Sequence, residues 1–547
     1  MLLAALFLSI ALYALWSLVT LELNYRRAQS MGIPLIRLPV DPLNALWQVS
    51  EEHFWAFANF LHLPVHSWKR VLRRGWQFEA KADLFFEYGP AFALVSPRSI
   101  IVQICDAEAV REVLERRRDF VRPSETYELV AVYGPNIMTA SPADWARHRK
   151  VLATPFSNER IMKLVWDESA RQTRQMMADW SVRGMLSSIG KDTRTVSLNV
   201  LATVGFGRSF DFKPYNEVEK TDTKDSYRDS LQVVLDNILL ILLVPRKYLR
   251  YSLLPEWLQS IGRAGDEFQK HMATMLDEEM TAMNQGEKGS GGLMASLVRA
   301  LDVNQKDKTK GMSVEEVYGN TFVINFAGHD TTANTLTFAL VMLMAHPEVQ
   351  DWVGEEIARV TEGVGEVWDY GHVFQQLIRC KAVLLETLRL YPPVMSLPKR
   401  TNEHPQQIPL GDKIITIPPH TEISNNTLAV HTYARYWSDP LAWKPSRWVV
   451  SSAAGESVYT PERDTYFPWS DGPQNCPGMK FSQVEFVAVL AMLLRDHRLK
   501  VEANDGESPE EVLERTWRVA NDCNAHIILQ MNNPSQLRVR FEDITLK

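Results

Sequence analysis

The chain has 547 residues, 46% of them hydrophobic, 23% charged and 10% aromatic, which excludes disorder, collagen and a polytopic membrane protein. With 59 Lys+Arg against 66 Asp+Glu the net charge is −7, which argues against nucleic acid as a partner. Cys105, Cys380, Cys476 and Cys523 are too few for a disulfide framework and include no C-x-x-C zinc pair, so the chain belongs in a reducing compartment.

Met1–Leu21 contains no charged side chain. As a helix it spans about 30 Å, the thickness of a bilayer core. A cleaved signal peptide has a shorter apolar region, of about 7–15 residues, behind a basic start. The absence of a basic start and of a small-x-small cleavage site therefore favours a retained transmembrane anchor over residues 1–21. Arg26 and Arg27 follow it, and basic flanks favour the cytosolic side. Residues 22–44, with Pro34, Pro39 and Pro42, read as an extended linker.

Residues 45–547 read as one catalytic body, mainly α with a smaller β region. Alternation predicts strands within Phe92–Gln103 and Ile414–Ile417, and Asn284–Gly292 and Asp302–Lys310 read as surface loops. Ile238–Val244 is either a core helix or a segment that lines a cavity or dips into a bilayer surface. Ser313 and Glu316 form a capping-box pattern, and apolar residues run on to Ala345. The prediction is a single helix of some 32 residues, about 48 Å, crossing the interior.

Within that helix stands Ala327-Gly328-His329-Asp330-Thr331-Thr332. Glycine costs about 1 kcal/mol in a helix interior, and an unpaired buried aspartate costs more. The run marks a ligand approach, a distortion, a polar relay, or a bend held by hydroxyl back-bonding. Cys476 lies on a Gly/Pro-rich turn, Phe467 to Phe481, just ahead of an apolar helical pattern. A helix N-terminus stabilises a thiolate, which can serve as nucleophile, redox thiol or metal ligand. A lone cysteine is also often a small core hydrophobe. Glu386 and Arg389 share a helix face, and so do Trp145 and Arg149.

Taken in order, these pieces resemble the cytochrome P450 haem-thiolate monooxygenases over residues 45–547. The pattern is W-x-x-x-R (Trp145, Arg149), A-G-x-D-T-T (Ala327–Thr332), E-x-x-R (Glu386, Arg389), P-x-R-W (Pro445–Trp448) and G-x-x-x-C-x-G (Gly472, Cys476, Gly478). The wording around Cys476 is similar to membrane-bound fungal biosynthetic members. Two positions depart from the family. Trp469 replaces the usual Phe seven residues before the cysteine, and Gln474 replaces the usual Arg or His two residues before it.

The resemblance implies haem b as cofactor, with Cys476 as iron ligand. It places Trp145, Arg149 and Arg400 on the haem propionates, Trp469 against the sulfur, and Gly472 and Gly478 beside the haem. Gly328 makes room for dioxygen, while Asp330 and Thr331 steer protons. Glu386, Arg389 and Arg447 form a supporting network. Electrons then come from an NADPH-cytochrome reductase, with Arg147, Lys150 and Lys480 as basic docking contacts. One oxygen atom from O2 enters a lipophilic small molecule, as a step of secondary-metabolite biosynthesis. Substrate contacts are expected from Phe120–Met138, Gln232–Leu254, Pro392–Pro398 and Cys523–Met531. The setting implied is a monomer on the endoplasmic reticulum membrane, single-pass, its body facing the cytosol. The alternative is a haem-thiolate isomerase or dehydratase, which needs no reductase and no Asp–Thr pair.

Overall fold

The structure is a computed structural model that describes residues 2–62, 66–214, 227–286, 292–301, 311–453, 455–525 and 527–544. The expected loop Asp302–Lys310 and residues 287–291 of the glycine-rich one lie outside the described residues. The body is mainly helical, with a six-stranded mixed sheet and smaller sheets, as the sequence predicts.

The six-stranded sheet runs in the order Leu35–Arg37, Ala91–Val95, Ile100–Ile104, Glu422–Asn425, Leu397–Thr401, Phe120–Val121. Ala91–Val95 and Ile100–Ile104, the strands predicted within Phe92–Gln103, are buried along their whole length, the polar Gln103 included. They form one hairpin, closed where the Ser96 amide donates to the Ser99 carbonyl at 2.9 Å. A second core surrounds the Met479–Leu494 helix, in which every residue from Val484 onward is buried. That helix follows the cysteine turn and packs against Glu159–Arg183.

The N-terminal helix, Leu2–Gln29, runs past Leu21. Glu22 pairs with Arg26 one turn on and with Arg37, each at 2.9 Å. Asn24 Nδ2 donates to the carbonyls of Ser96 (3.0 Å) and Pro97 (3.2 Å), and Ala28 and Met31 are buried. Leu35–Arg37 then pairs in parallel with Ala93–Val95. The stretch expected to be an extended linker is thus helix, then sheet edge.

The expected single helix is two, Val314–Gly328 and Asp330–Ala345, broken at His329. The capping box of Ser313 and Glu316 is formed. At the break, the Asn325 carbonyl accepts from His329 Nδ1 and the Ala327 carbonyl from Thr331 Oγ1, both at 2.9 Å. Side chains that bond to carbonyls four residues back bend a helix. The polar run in mid-helix therefore carries a bend as well as lining a site.

Candidate active site

A cavity of about 340 Å³ lies at the end of the cysteine turn. One wall is Phe156, Trp469, Cys476, Pro477, Gly478, Phe481, Ser482 and Phe486. A second comes from the broken helix pair, with Val323, Ile324, Ala327, Gly328, Thr331, Thr332 and Thr335. Between them stand Arg122, Trp145, Arg149, Lys399 and Gln474. Most of the rest is apolar, including Ile137, Met138, Leu201, Pro393, Val394 and Leu397, with Tyr127, Ser470 and Asn475 as the polar exceptions. Among the described residues no acidic side chain lines the cavity.

Cys476 is the one cysteine on this wall; Cys105 and Cys380 are buried elsewhere. Cys476 is accessible, and it lines the cavity. Enclosure pushes the thiol upward in pKa, and the Gly478 N–H and the Arg149 charge oppose that. The Cys476 amide donates to the Trp469 carbonyl at 2.8 Å, which closes the turn. The indole of Trp469 lines the cavity and donates Nε1–H to Ser482 Oγ at 3.1 Å.

The two glycines differ. A Cβ on Gly478 would stand 3.8 Å from Cys476 Sγ, in ordinary contact. Gly472 is absent from the cavity wall; its φ of +67° and a 2.8 Å clash between any Cβ and the Leu114 carbonyl explain the residue. A Cβ on Gly328 would meet Leu201 Cδ2 at 3.1 Å, so this glycine leaves room on the cavity side shared with Leu201.

Trp145 and Arg149 both reach the cavity from one helix, Trp145–Phe156. Trp145 Nε1 is buried without a hydrogen-bond partner. Arg149 donates to the Asn475 carbonyl at 2.6 Å and to Asn475 Oδ1 at 2.5 Å. Arg400, expected beside them, does not line the cavity, whereas its neighbour Lys399 does. Both sit on Leu397–Thr401, whose side chains alternate between faces. Arg400 stands opposite Glu422 in the register, and Lys399 opposite Ile423.

Thr331 lines the cavity, but Asp330 does not. Asp330 Oδ1 is 2.7 Å from Arg194 Nε and 3.2 Å from His329 Nε2. Burial by itself raises the Asp330 pKa; the charges of His329 and then Arg194 outweigh it and hold the carboxyl at about 2.

Arg147 is only 12% exposed, because Glu316 binds it at 2.6 and 2.8 Å. Lys480 pairs with Glu159, and Lys150 is exposed. Of the expected substrate segments, Phe120–Met138 and Pro392–Pro398 contribute to the wall, but none of the described residues of Gln232–Leu254 and Cys523–Met531 does. Arg389 binds Glu386 through Nε (2.8 Å) and Nη2 (2.9 Å), both side chains wholly buried. Arg447 Nε and Trp448 Nε1 also donate to Glu386, at 3.0 and 2.9 Å. This network lies outside the cavity and holds the Pro445–Trp448 turn to the Ile378–Leu390 helix.

The cavity suits an iron porphyrin. Among the described residues its cations lack carboxylate partners, Trp145 Nε1 waits for an acceptor, and a thiol faces apolar side chains. The family model for cytochrome P450 matches residues 59–520. This chain belongs to the cytochrome P450 family. A cytochrome P450 monooxygenase of Arthrobotrys oligospora is 27% identical over 563 aligned positions, covering 95% of each chain. The phomenoic acid biosynthesis cluster cytochrome P450 monooxygenase of Leptosphaeria maculans is 29% identical, covering 88% of this chain and 90% of the relative. A cytochrome P450 monooxygenase of Penicillium rubens is 28% identical, covering 90% of each. The fungal biosynthetic likeness expected from the cysteine turn therefore holds, and the cytochrome P450 chain is a monooxygenase of a haem-thiolate family.

Proposed function

We propose that this cytochrome P450 binds haem b through Cys476 and inserts one oxygen atom from O2 into a lipophilic molecule in secondary-metabolite biosynthesis. The observation that carries the reading is the position of Cys476, on the cavity wall beside Trp469, Pro477 and Gly478 and across from the broken helix pair. Haem, when bound, supplies the activation of dioxygen. The chain supplies the rest. Trp145 Nε1 and Arg149 hold carboxylates at the cavity edge, and Trp469 covers the sulfur side. The walls at Leu201, Val323, Ile324 and Val394 exclude water and accept apolar substrate. Thr331 Oγ1 donates to the Ala327 carbonyl at rest, and its lone pairs are open to a proton donor in the cavity. Asp330, a carboxylate at rest, relays a proton from water toward Thr331 when its hold on Arg194 loosens.

Phe7–Gln29 is long and apolar enough to cross a membrane, which supports a membrane anchor; in this reading the anchor lies in the endoplasmic reticulum with the body in the cytosol. NADPH-cytochrome reductase is the electron donor in this reading, the body acting as a monomer. Lys150 is the exposed one of the three basic contacts considered. The test is the spectrum of reduced protein under carbon monoxide, followed by product analysis with reductase in membranes. Cys476→Ala should abolish the thiolate-ligated band. Survival of that band sinks the ligand assignment, and product formed without NADPH or O2 selects the isomerase reading.

A further inference from the structure

Asn320 is wholly buried and does not line the cavity, yet it stands one turn ahead of Val323 and Ile324, which do. Both ends of its amide are used. Oδ1 accepts the Ile137 backbone N–H at 3.0 Å. Nδ2 donates to the Glu316 carbonyl at 2.7 Å and to His148 Nδ1 at 3.0 Å. A ring nitrogen that accepts leaves the proton on the other one, so His148 Nε2–H donates to Glu316 Oε1 at 3.1 Å. These partners fix the amide, because turning it over would set donor against donor at Ile137.

Ile137, a residue of the cavity wall, is held from its other side as well: its carbonyl accepts from Arg122 Nη1 at 2.6 Å. The next amide, of Met138, donates to Asn136 Oδ1 at 3.0 Å. Loop and helix also meet main chain to main chain. A Cβ on Gly319 would lie 2.3 Å from the carbonyl oxygens of both Gly134 and Pro135, so glycine is what lets the two backbones approach. Asn320, the next residue, supplies a hydrogen bond across that seam. Asparagine is a poor helix former, and its amide is costly to bury unless bonded. Here the bonds it makes fix a cavity-wall residue to the helix that forms the opposite wall.

We propose that Asn320 is a positioning residue, which holds Ile137 in place and thereby sets how bulky a molecule the cavity accepts. The inference rests on the haem reading above, and concerns a residue outside the cavity that shapes it through another.

The experiment reads two quantities in the haem-loaded full chain: deuterium exchange at the Ile137 amide, and the dissociation constants of imidazole and 4-phenylimidazole followed at the Soret band. The thiolate-ligated carbon monoxide spectrum of the wild type is scored first. Its absence overturns the haem reading, while amide exchange still judges the clamp. Asn320→Leu keeps the bulk and removes the acceptor, so the Ile137 amide should exchange about tenfold faster or more. It should bind 4-phenylimidazole about tenfold more weakly, having lost a preformed wall, with imidazole within about threefold of wild type. Unchanged exchange, or two ligands that move alike, overturns the proposal and leaves Asn320 a structural residue. In an Ile137→Ala background, adding Asn320→Leu should shift the 4-phenylimidazole constant by less than about threefold. A shift as large as in the native background shows that Asn320 does not act through Ile137, and overturns it too. If Asn320→Leu yields no folded protein, Gly319→Ala takes its place, since a methyl there lifts the loop from the helix. Faster exchange with the same selective loss then counts for the proposal, and wild-type values count against. Failure of both variants to fold assigns the seam to stability alone and overturns it.

Discussion

Arg194 bridges two carboxylates on different helices: Nε lies 2.7 Å from Asp330 Oδ1 and Nη1 lies 3.1 Å from Asp236 Oδ1. One guanidinium thereby ties the acid of the cavity helix to the end of the Tyr227–Asp236 helix. The carboxylate most expected to face the cavity is turned from it by this tie. Its pKa is held at about 2, below the ordinary value of 3.8. A depressed carboxyl contributes stability that is present above its unfolded pKa and lost as pH falls through the folded one. Wild type should therefore lose on the order of 2 kcal/mol relative to Asp330→Asn as pH drops from about 5 toward 2. Urea unfolding at stepped pH measures it, and parallel curves for the two proteins refute the pairing.

Thr331→Val keeps the shape of the cavity wall and removes one hydroxyl. Haem content and substrate binding should stay near wild type, while product formed per NADPH falls about tenfold or more and hydrogen peroxide rises. Asp330→Asn should move the same ratio in the same direction. Unchanged coupling in both variants ends the proton-steering role of this helix break.

Glu386 and Arg389 form a wholly buried pair, each with further partners among Arg447, Trp448 and main-chain carbonyls. Glu386→Gln leaves a buried guanidinium short of charge, and should cost about 3–5 kcal/mol. The loss should appear as a lower unfolding midpoint. A cavity role for the pair predicts instead normal stability with altered substrate binding.

Trp469 and Ser482 are coupled by the 3.1 Å bond from the indole N–H. Ser482→Ala leaves that donor without its partner in a partly buried place, at about 1 kcal/mol or more. Trp469→Phe removes the donor, so the second substitution should cost little once the first is made. A double-mutant cycle by thermal unfolding reads the coupling, and strict additivity disproves it.

The sequence carried the order of motifs, and with it Cys476, Trp145, Arg149 and Thr331, all of which line the cavity. Motif spacing reports residue type in chain order, but not which way a side chain faces. Arg400 shows the limit: parity along a strand depends on pairing with Glu422–Asn425, and no residue within Leu397–Thr401 announces it. Leu397, Pro398 and Lys399 all line the cavity and Arg400 does not, so the wall ends one residue short of the basic residue expected there. Asp330 was misdirected for a similar reason, since Arg194 lies 136 positions before it and only folding brings the two together. The helix break at His329 was foreshadowed by glycine and hydroxyl residues, yet the apolar run on both sides outweighed them. Gly472 reads as a cofactor glycine by motif and proves to be a turn glycine by its contact with Leu114.

The bond from Asn24 to the Ser96–Pro97 turn, with the Glu22–Arg37 pair, makes the N-terminal helix a lever instead of a leash. A body on a slack tether tumbles freely above a bilayer, but one gripped at the helix end inherits the helix's tilt. Were that helix in the membrane, as proposed, the height and bearing of the cavity above the lipid would be set by the fold. A lipophilic substrate dissolved in the bilayer would then meet the protein at one fixed angle, before any residue of the cavity had touched it.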